Sequence, residues 1–400
     1  MRMKFNKSGQ LLLVAAASLA AAAMLSACAT LTVDFVYVSS ALAAGSNSYG
    51  EINVFEVNSE SGFMRQIPTS PFPSAGRNPV AEAVSPDNSS LYVVNKDDNS
   101  IVQFIIGNDG KLYPNTTVNT PGIFPLAVAT SNSYLFVADL YQPLPICSSA
   151  APCTGSVGVF PINSDSTLGA VVGNTVDNTA YWPLTLPANT GDVIAPTAIT
   201  TAASGAYVYV AAYDTTAGGG YIFGFAVGSD GTLTPLNNGV PFAAGSHPSG
   251  LAAAPSGSYL YATDYDARTV LSYAIDSSGL LTAVSGSPFA AGAGPAAIAV
   301  DTTGKYAYVA NSQDSNITAY SVSSGVFTSL GTFATGLRPV AIGIDPSLNQ
   351  YLYTANFLGS SVSGFQIQSD GTLLNSQNSP YKSNAQVTAV AAIPHGSQKK

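Results

Sequence analysis

Seven copies of one short phrase run through this chain: Ile or Val, two residues, an aromatic, one residue, an apolar side chain. The aromatic falls at Phe55, Phe104, Phe160, Phe225, Tyr273, Tyr320 and Phe365. A turn signal follows each copy, at Gly62, Asp109-Gly110, Asp165-Ser166, Asp230-Gly231, Ser278-Gly279, Ser324-Gly325 and Asp370-Gly371. Alternating apolar residues specify a strand, and Asp-Gly or Ser-Gly permits the reversal after it. The copies lie 45 to 65 residues apart. A small sheet repeated at that spacing predicts an all-β chain folded as a seven-bladed β-propeller.

Each unit has further parts in a constant order. A second apolar strand precedes the aromatic one, as in Leu91-Tyr92-Val93, Val208-Tyr209-Val210 and Leu352-Tyr353-Thr354. Before it comes a small-residue strand that opens on Pro79, Pro125, Pro196, Pro248, Pro295 or Pro339. Proline at a strand's first residue forfeits no ladder bond. Alanine and glycine suit an innermost strand, where blades converge. A fourth strand after each turn completes an antiparallel blade. Seven aromatic strands meet only six proline-led ones. The missing copy is Val387-Thr388-Ala389-Val390-Ala391-Ala392, so the C-terminal strand is expected to close the ring within the first blade. The seven aromatics are expected to pack blade against blade, each contributing roughly 1.5–3 kcal/mol.

The N-terminus reads as a processing signal. Arg2, Lys4 and Lys7 precede an apolar run from Leu11 to Ala23, and Leu25-Ser26-Ala27-Cys28 follows. This resembles a bacterial lipoprotein signal peptide over residues 1–27, with Cys28 as the lipidated first residue of the mature chain. Residues 28–32 are then a short linker, 33–394 the propeller and 395–400 a polar tail in which His395 is expected to be disordered. An uncleaved transmembrane anchor is the alternative. Either way the propeller is exported and tethered to a membrane, in the periplasm at the outer membrane or at the cell surface. Ala29, in place of Asp, implies outer-membrane sorting if the host is Gram-negative.

Cleavage would leave ten basic residues against twenty-two acidic ones, a net charge of −12. An acidic exported domain is not expected to bind nucleic acid. With Cys28 assigned to lipid, Cys147 and Cys153 bracket one loop and are read as a disulfide, with two free thiols as the alternative. No metal site is expected there, because the loop holds no His and no further Cys. A monomeric domain is expected.

Alternating strand directions put the first-to-second and third-to-fourth turns on one face. The remaining loops share the opposite face. There the third unit inserts Leu140 to Ser156, and then roughly Gly173 to Ala195 with the single tryptophan, Trp182. Long irregular loops on a rigid scaffold are where binding residues concentrate, although these two could simply cover apolar surface. The column just before the inner proline is varied on this face: Asn78, Phe124, Ala195, His247, Gly294 and Arg338, with Arg77 adjoining. Arg77, Asn78, Trp182 and Arg338 are the candidate ligand-binding residues, and His247 is a candidate proton carrier. Capping of loops is the alternative for each taken alone.

Glu82 stands where the other units have Val128, Ile199, Leu251, Ile298, Ile342 and Val390. A carboxylate in an apolar column costs several kcal/mol unless paired or protonated. It is a candidate general base beside His247, a partner for an arginine, or a residue turned to solvent by a bulge. After the second strand, Asn95, Asp139, Asp264, Asn311 and Asn356 are expected to bond their own turn backbone.

Tyr-Val-Val-Asn, Tyr-Val-Ala-Asn and Tyr-Thr-Ala-Asn resemble the signature of YVTN-type surface propellers. Together with the Pro-x-Ala-Ile-Ala-Val strands and Ser-Asp-Gly-Thr-Leu turns, they resemble the seven-bladed lactonase-type propellers, from about Val33 to Pro394. That group includes 6-phosphogluconolactonases and carboxymuconate cyclases. The resemblance implies His, Arg and Glu around the channel, often within a His-Pro-Arg-His phrase. The matching segment here is His247-Pro248-Ser249-Gly250.

Two functions are expected to compete. One is a lipid-anchored module that binds a small molecule or protein through its variable face. The other is a lactone hydrolase or cyclase that uses Glu82, His247 and an arginine. No cofactor is expected, because a single Trp argues against a quinone-dependent dehydrogenase propeller.

Overall fold

The computed structural model describes residues 32–41, 48–346 and 348–396. The expected signal peptide and Cys28 lie outside them. Among the described residues no helix is long and apolar enough to cross a membrane.

The strands form seven antiparallel sheets, each with an inner, a second, a third and an outer strand. The inner strands are Val387–Pro394, Pro79–Val84, Ile123–Thr130, Ile194–Ala202, Pro248–Ala253, Pro295–Val300 and Pro339–Ile344. Each packs beside the next in that order, and the last returns to the first. The chain belongs to the all-β class as a closed seven-bladed propeller. The closing strand pairs with the strand Thr32–Ser40, matching Val36 with Ala392 and Val38 with Val390.

That pairing corrects one expectation at the C-terminus. His395 is ordered: its N–H donates to the Val33 carbonyl at 2.8 Å, and its ring lies 5.3 Å from that of Phe35. The ladder simply runs one residue past Pro394 onto an apolar face. Both ends of the described chain therefore emerge on the face of the short turns, hereafter the turn face.

The seven repeated aromatics are buried, from Phe104 at 1 % exposed to Tyr273 at 6 %. They share the spaces between blades with a second aromatic column, from the second strands. Tyr37, Tyr92, Tyr209 and Tyr308 each donate a hydroxyl hydrogen bond to a turn carbonyl of the next blade, on Gly110, Ser166, Gly279 and Gly371. Buried phenols of this kind hold a neighbour and satisfy its carbonyl together. The seventh blade reaches the first through Tyr351, whose hydroxyl donates to the Ser59 carbonyl at 2.9 Å. Hydroxyls also link the inner strands around the channel. Thr388 donates to the Pro79 carbonyl, Thr197 to Pro248 and Ser249 to Pro295.

Outer strands vary most. In four blades they are split in two, as in Leu373–Asn375 and Tyr381–Lys382. The third blade has only Trp182–Pro183 at its edge. After the turn at Ser166 the chain stays bonded to the third strand through the N–H groups of Gly169 and Val172, then loops out over residues 173–181 before rejoining Val157 with Trp182.

The turn glycines set a steric limit. Gly371 has φ of +82°, and a Cβ added there would lie 2.2 Å from Tyr306 Cδ1. Gly371→Ala is expected to cost about 1–3 kcal/mol, from left-handed strain plus overpacking. Urea unfolding would show a lower midpoint with an unchanged slope.

Candidate functional site

Inner strands begin, and second strands end, on the variable face. That arrangement gathers residues from four blades around one cavity of about 450 Å³. Leu126 and Leu140 come from the third blade. Ala195, Pro196, Thr197 and Tyr213 come from the fourth, His247 and Ser249 from the fifth, and Ala296 from the sixth. His247 sits on the loop that leads into the strand Pro248–Ala253.

The backbone of His247 is held from both sides. Its N–H donates to Asp264 Oδ1 at 3.1 Å, and its carbonyl accepts from the Tyr265 N–H at 2.9 Å. Burial pushes the Asp264 carboxyl up. Donors from Ser246, His247 and Ala267 outweigh that and hold it below the usual carboxylate range. The imidazole packs against Tyr213, with ring centroids 4.2 Å apart, and lies 5.8 Å from Tyr265. Its Nδ1 faces Asp266 Oδ2 at 3.3 Å. The Asp266 carboxylate on that side favours a proton on Nδ1, which leaves Nε2 as the basic nitrogen; the tautomer is assigned from this charge contact. Gln313 Nε2 donates to the Tyr265 hydroxyl at 3.2 Å and steadies the far side of the cluster.

The other candidates lie elsewhere. Glu82 is on the strand Pro79–Val84, opposite Val93, and faces the first blade. It accepts a short hydrogen bond from the Ser39 hydroxyl and another from the Ala391 N–H. The residue is half-buried, but Oε1 is sealed from solvent with no partner. Among the described residues no arginine is paired with it, and it does not line the His247 cavity. The inner strand does carry a register shift after Pro79, but the shift recurs after Pro248, Pro295 and Pro339, so it does not single out Glu82.

Arg77 is tied to Asp98 at 2.6 Å, and Asn78 Nδ2 donates to Asp97 Oδ1 at 3.2 Å. The Arg338 guanidinium lies 5.4 Å over the Phe357 ring. Asn78, Phe124, Gly294 and Arg338 all have φ between 54° and 62°. The column is therefore shaped by a left-handed backbone, which non-glycine residues adopt rarely. His247 departs from it, because the positive φ falls on Gly245 instead. Trp182 lies at the variable-face end of the edge strand, opposite Val157, but its side chain is turned inward and lines no opening there. It is 5 % exposed in a core with Leu184, Phe223 and Phe225, because the edge strand carries it back between the third and fourth blades. Cys147 and Cys153 form a disulfide.

Three members of the Asn and Asp column, Asp139, Asp264 and Asn311, pin the loop that enters their own blade's inner strand, whereas Asn356 bonds Ser361 and Ser363. Asp139 accepts from the Gly122 N–H and Asn311 from the Gly292 N–H. Asp264 accepts from the Ser246 N–H and also from the Ala267 N–H of its own turn.

Four carboxyls among the described residues are displaced upward, Glu51 among them through its burial. Burial raises Glu82 to about 8 and Asp139 to about 7. Burial, and then the Asp345 charge, raises Asp34 to about 8. A raised folded-state pKa contributes stability that is complete below the unfolded value and is lost as pH rises through the folded one. Stability is therefore expected to fall between pH 5 and 9. Glu82→Gln removes one of these protons, so its unfolding free energy should decline less steeply, by up to about 1.4 kcal/mol per pH unit. Urea melts at pH 5.5, 7 and 8.5 measure this slope, and equal slopes in both proteins would contradict the placement of Glu82.

The chain is thus a closed seven-bladed ring with a cavity beside His247 on its variable face. The chain matches the family described as Lactonase, 7-bladed beta-propeller, over residues 35–181, 159–338 and 285–395, and it belongs to that family. No curated protein matches it in sequence. Among solved structures it is similar to a Bacteroides fragilis protein provisionally named a 6-phosphogluconolactonase, at 21 % identity and a TM-score of 0.69. That match covers 91 % of this chain and 99 % of the other. A Bacteroides uniformis protein with the same provisional name is 20 % identical, with a TM-score of 0.70, over 90 % of this chain and 100 % of that one. The periplasmic gluconolactonase of Pseudomonas aeruginosa is 18 % identical, with a TM-score of 0.70, over 90 % and 99 %. At these identities the likeness is one of fold.

Proposed function

We propose that this protein opens lactones by hydrolysis in the cavity beside His247. The observation that carries the reading is the His247–Asp266 pair, set against Tyr213 at the mouth of a lactonase-family ring. His247 Nε2 takes a proton from water as the water oxygen adds to the lactone carbonyl. Asp266 holds the imidazole in the tautomer this requires. Tyr213 supplies a phenol O–H from the same wall for the developing oxyanion. Collapse breaks the ring C–O bond, and the proton passes from Nε2 to the departing alkoxide, giving the hydroxy acid. Glu82 takes no part in these steps.

An exported location accompanies this reading. It is supported by the Cys147–Cys153 disulfide, which persists in oxidising compartments, and by the lipoprotein-type N-terminus. Cys28→Ser is expected to abolish incorporation of labelled palmitate in a bacterial host and to release the protein from the membrane fraction.

The direct test is a pH-stat assay of acid release from simple δ-lactones by the folded protein, against a heat-unfolded control. Saturable turnover above the spontaneous rate sustains the reading. Its absence across the panel would return the cavity to a ligand-binding role.

A further inference from the structure

The wall of the cavity says more about the ligand than the imidazole does. We propose that the site selects a neutral lactone bearing an apolar arm, over polyhydroxylated or phosphorylated sugar lactones. This rests on the reading of the cavity as a lactone-opening site.

Three observations carry it. The first is the apolar lining: Leu126, Leu140, Ala195, Pro196 and Ala296 contribute carbon to the cavity. A lactone ring turned toward His247 would lay a substituent on this lining, where each buried methylene is worth about 0.8 kcal/mol.

The second is a shortage of donors. Thr197 and Ser249 bring the two aliphatic hydroxyls of the wall. Thr197 already donates to the Pro248 carbonyl at 2.7 Å, and Ser249 to the Pro295 carbonyl at 2.5 Å. A hydroxyl has one proton to give. Both protons are spent on holding neighbouring blades together, so these groups can only accept from a ligand. His247 and Tyr213 remain, and the reaction itself uses them. A polyol placed here would meet few free donors, and each ring oxygen that gave up water without gaining a partner would cost about 1–3 kcal/mol.

The third is charge. The cavity wall contains no Lys or Arg. Arg77 is committed to Asp98, and Arg338 lies on Phe357. The charged groups in contact with His247 are carboxylates, Asp266 at the imidazole and Asp264 at the backbone N–H, while Arg268 lies further along the same loop and outside the cavity lining. A phosphate dianion would be repelled by both carboxylates.

The experiment compares δ-decalactone, glucono-δ-lactone and its 6-phosphate as substrates of the intact protein. The expected kcat/KM for δ-decalactone exceeds that for glucono-δ-lactone at least tenfold, and that for the phosphate at least a hundredfold. Leu140→Asn and Leu126→Asn should each lower the ratio of δ-decalactone to δ-valerolactone turnover by tenfold or more. A preference for either sugar lactone, or a ratio untouched by both substitutions, overturns the inference and leaves the hydrolase reading in place. Calorimetry with unreactive lactams separates the two claims. If no lactone is opened, tighter binding of the alkyl lactam than of the polyhydroxylated one, weakened by Leu140→Asn, sustains the selectivity. The reverse order, or no binding of either, overturns it.

Discussion

His247→Ala is expected to lower kcat/KM for lactone opening by about 10²- to 10⁴-fold, the range over which a positioned general base contributes. The fold should be unaffected. The imidazole is only half-buried, and the loop is held through its main chain by Asp264 and Tyr265, contacts that alanine preserves. An unchanged thermal midpoint beside the lost rate separates chemistry from collapse. Added imidazole should restore part of the activity, which a purely structural role would not permit. Asp266→Asn should be milder, about tenfold. Its side chain is 62 % exposed, and an amide oxygen can still accept from Nδ1. Full activity in His247→Ala would remove the imidazole from the reaction and, with it, the proposed mechanism.

Deleting residues 387–396 is expected to abolish cooperative folding. The strand buries Val387 and Ile393 completely and Ala389 almost so. Burial of Val387 and Ile393 alone amounts to about 3–6 kcal/mol, against a typical total stability of about 5–15 kcal/mol. The deletion also frees one edge of the strand Thr32–Ser40. It removes the Thr388 link to Pro79 and the Ala391 N–H that Glu82 accepts. Circular dichroism in urea should show a broad, shallow transition in place of a sharp one. A truncated chain with the full-length midpoint and slope would show that the ring does not depend on its closing strand.

The architecture was legible because it is written seven times. Phe55 through Phe365 mark one strand per blade, and the six proline-led strands made the seventh conspicuous at Val387. What repetition conveys less well is a residue whose neighbours come from another blade. The tyrosines at 37, 92, 209 and 308 form a visible column, yet their hydroxyl partners lie about seventy residues away in the next blade. The same limit explains the site. His247 stood out as a departure from its column. Asp266 and Tyr265 looked like ordinary loop residues, and Tyr213 and Leu140 looked like strand ends. Only the ring brings Leu140 and Tyr213 to one cavity with His247, and Tyr265 and Asp266 reach the imidazole from the next loop of its own blade. Glu82 was conspicuous for a different reason: a carboxyl in an apolar column marks a buried polar contact, here with Ser39 and Ala391, and says nothing of where that contact lies relative to His247. Trp182 misled because a long excursion in the third blade ends by supplying the missing edge strand. The shared left-handed backbone of Asn78, Phe124 and Arg338 was invisible as a list of dissimilar side chains.

The meeting of the chain's two extremities at Val33 and His395 fixes an orientation as well as a ring. Cys28 precedes Thr32 by four residues, which span at most about 14 Å when extended. A lipid carried on Cys28 would moor the molecule by its underside, close to the bilayer. The opening beside His247 would then look outward into the aqueous compartment, and small solutes would reach it from the water side without passing beneath the protein.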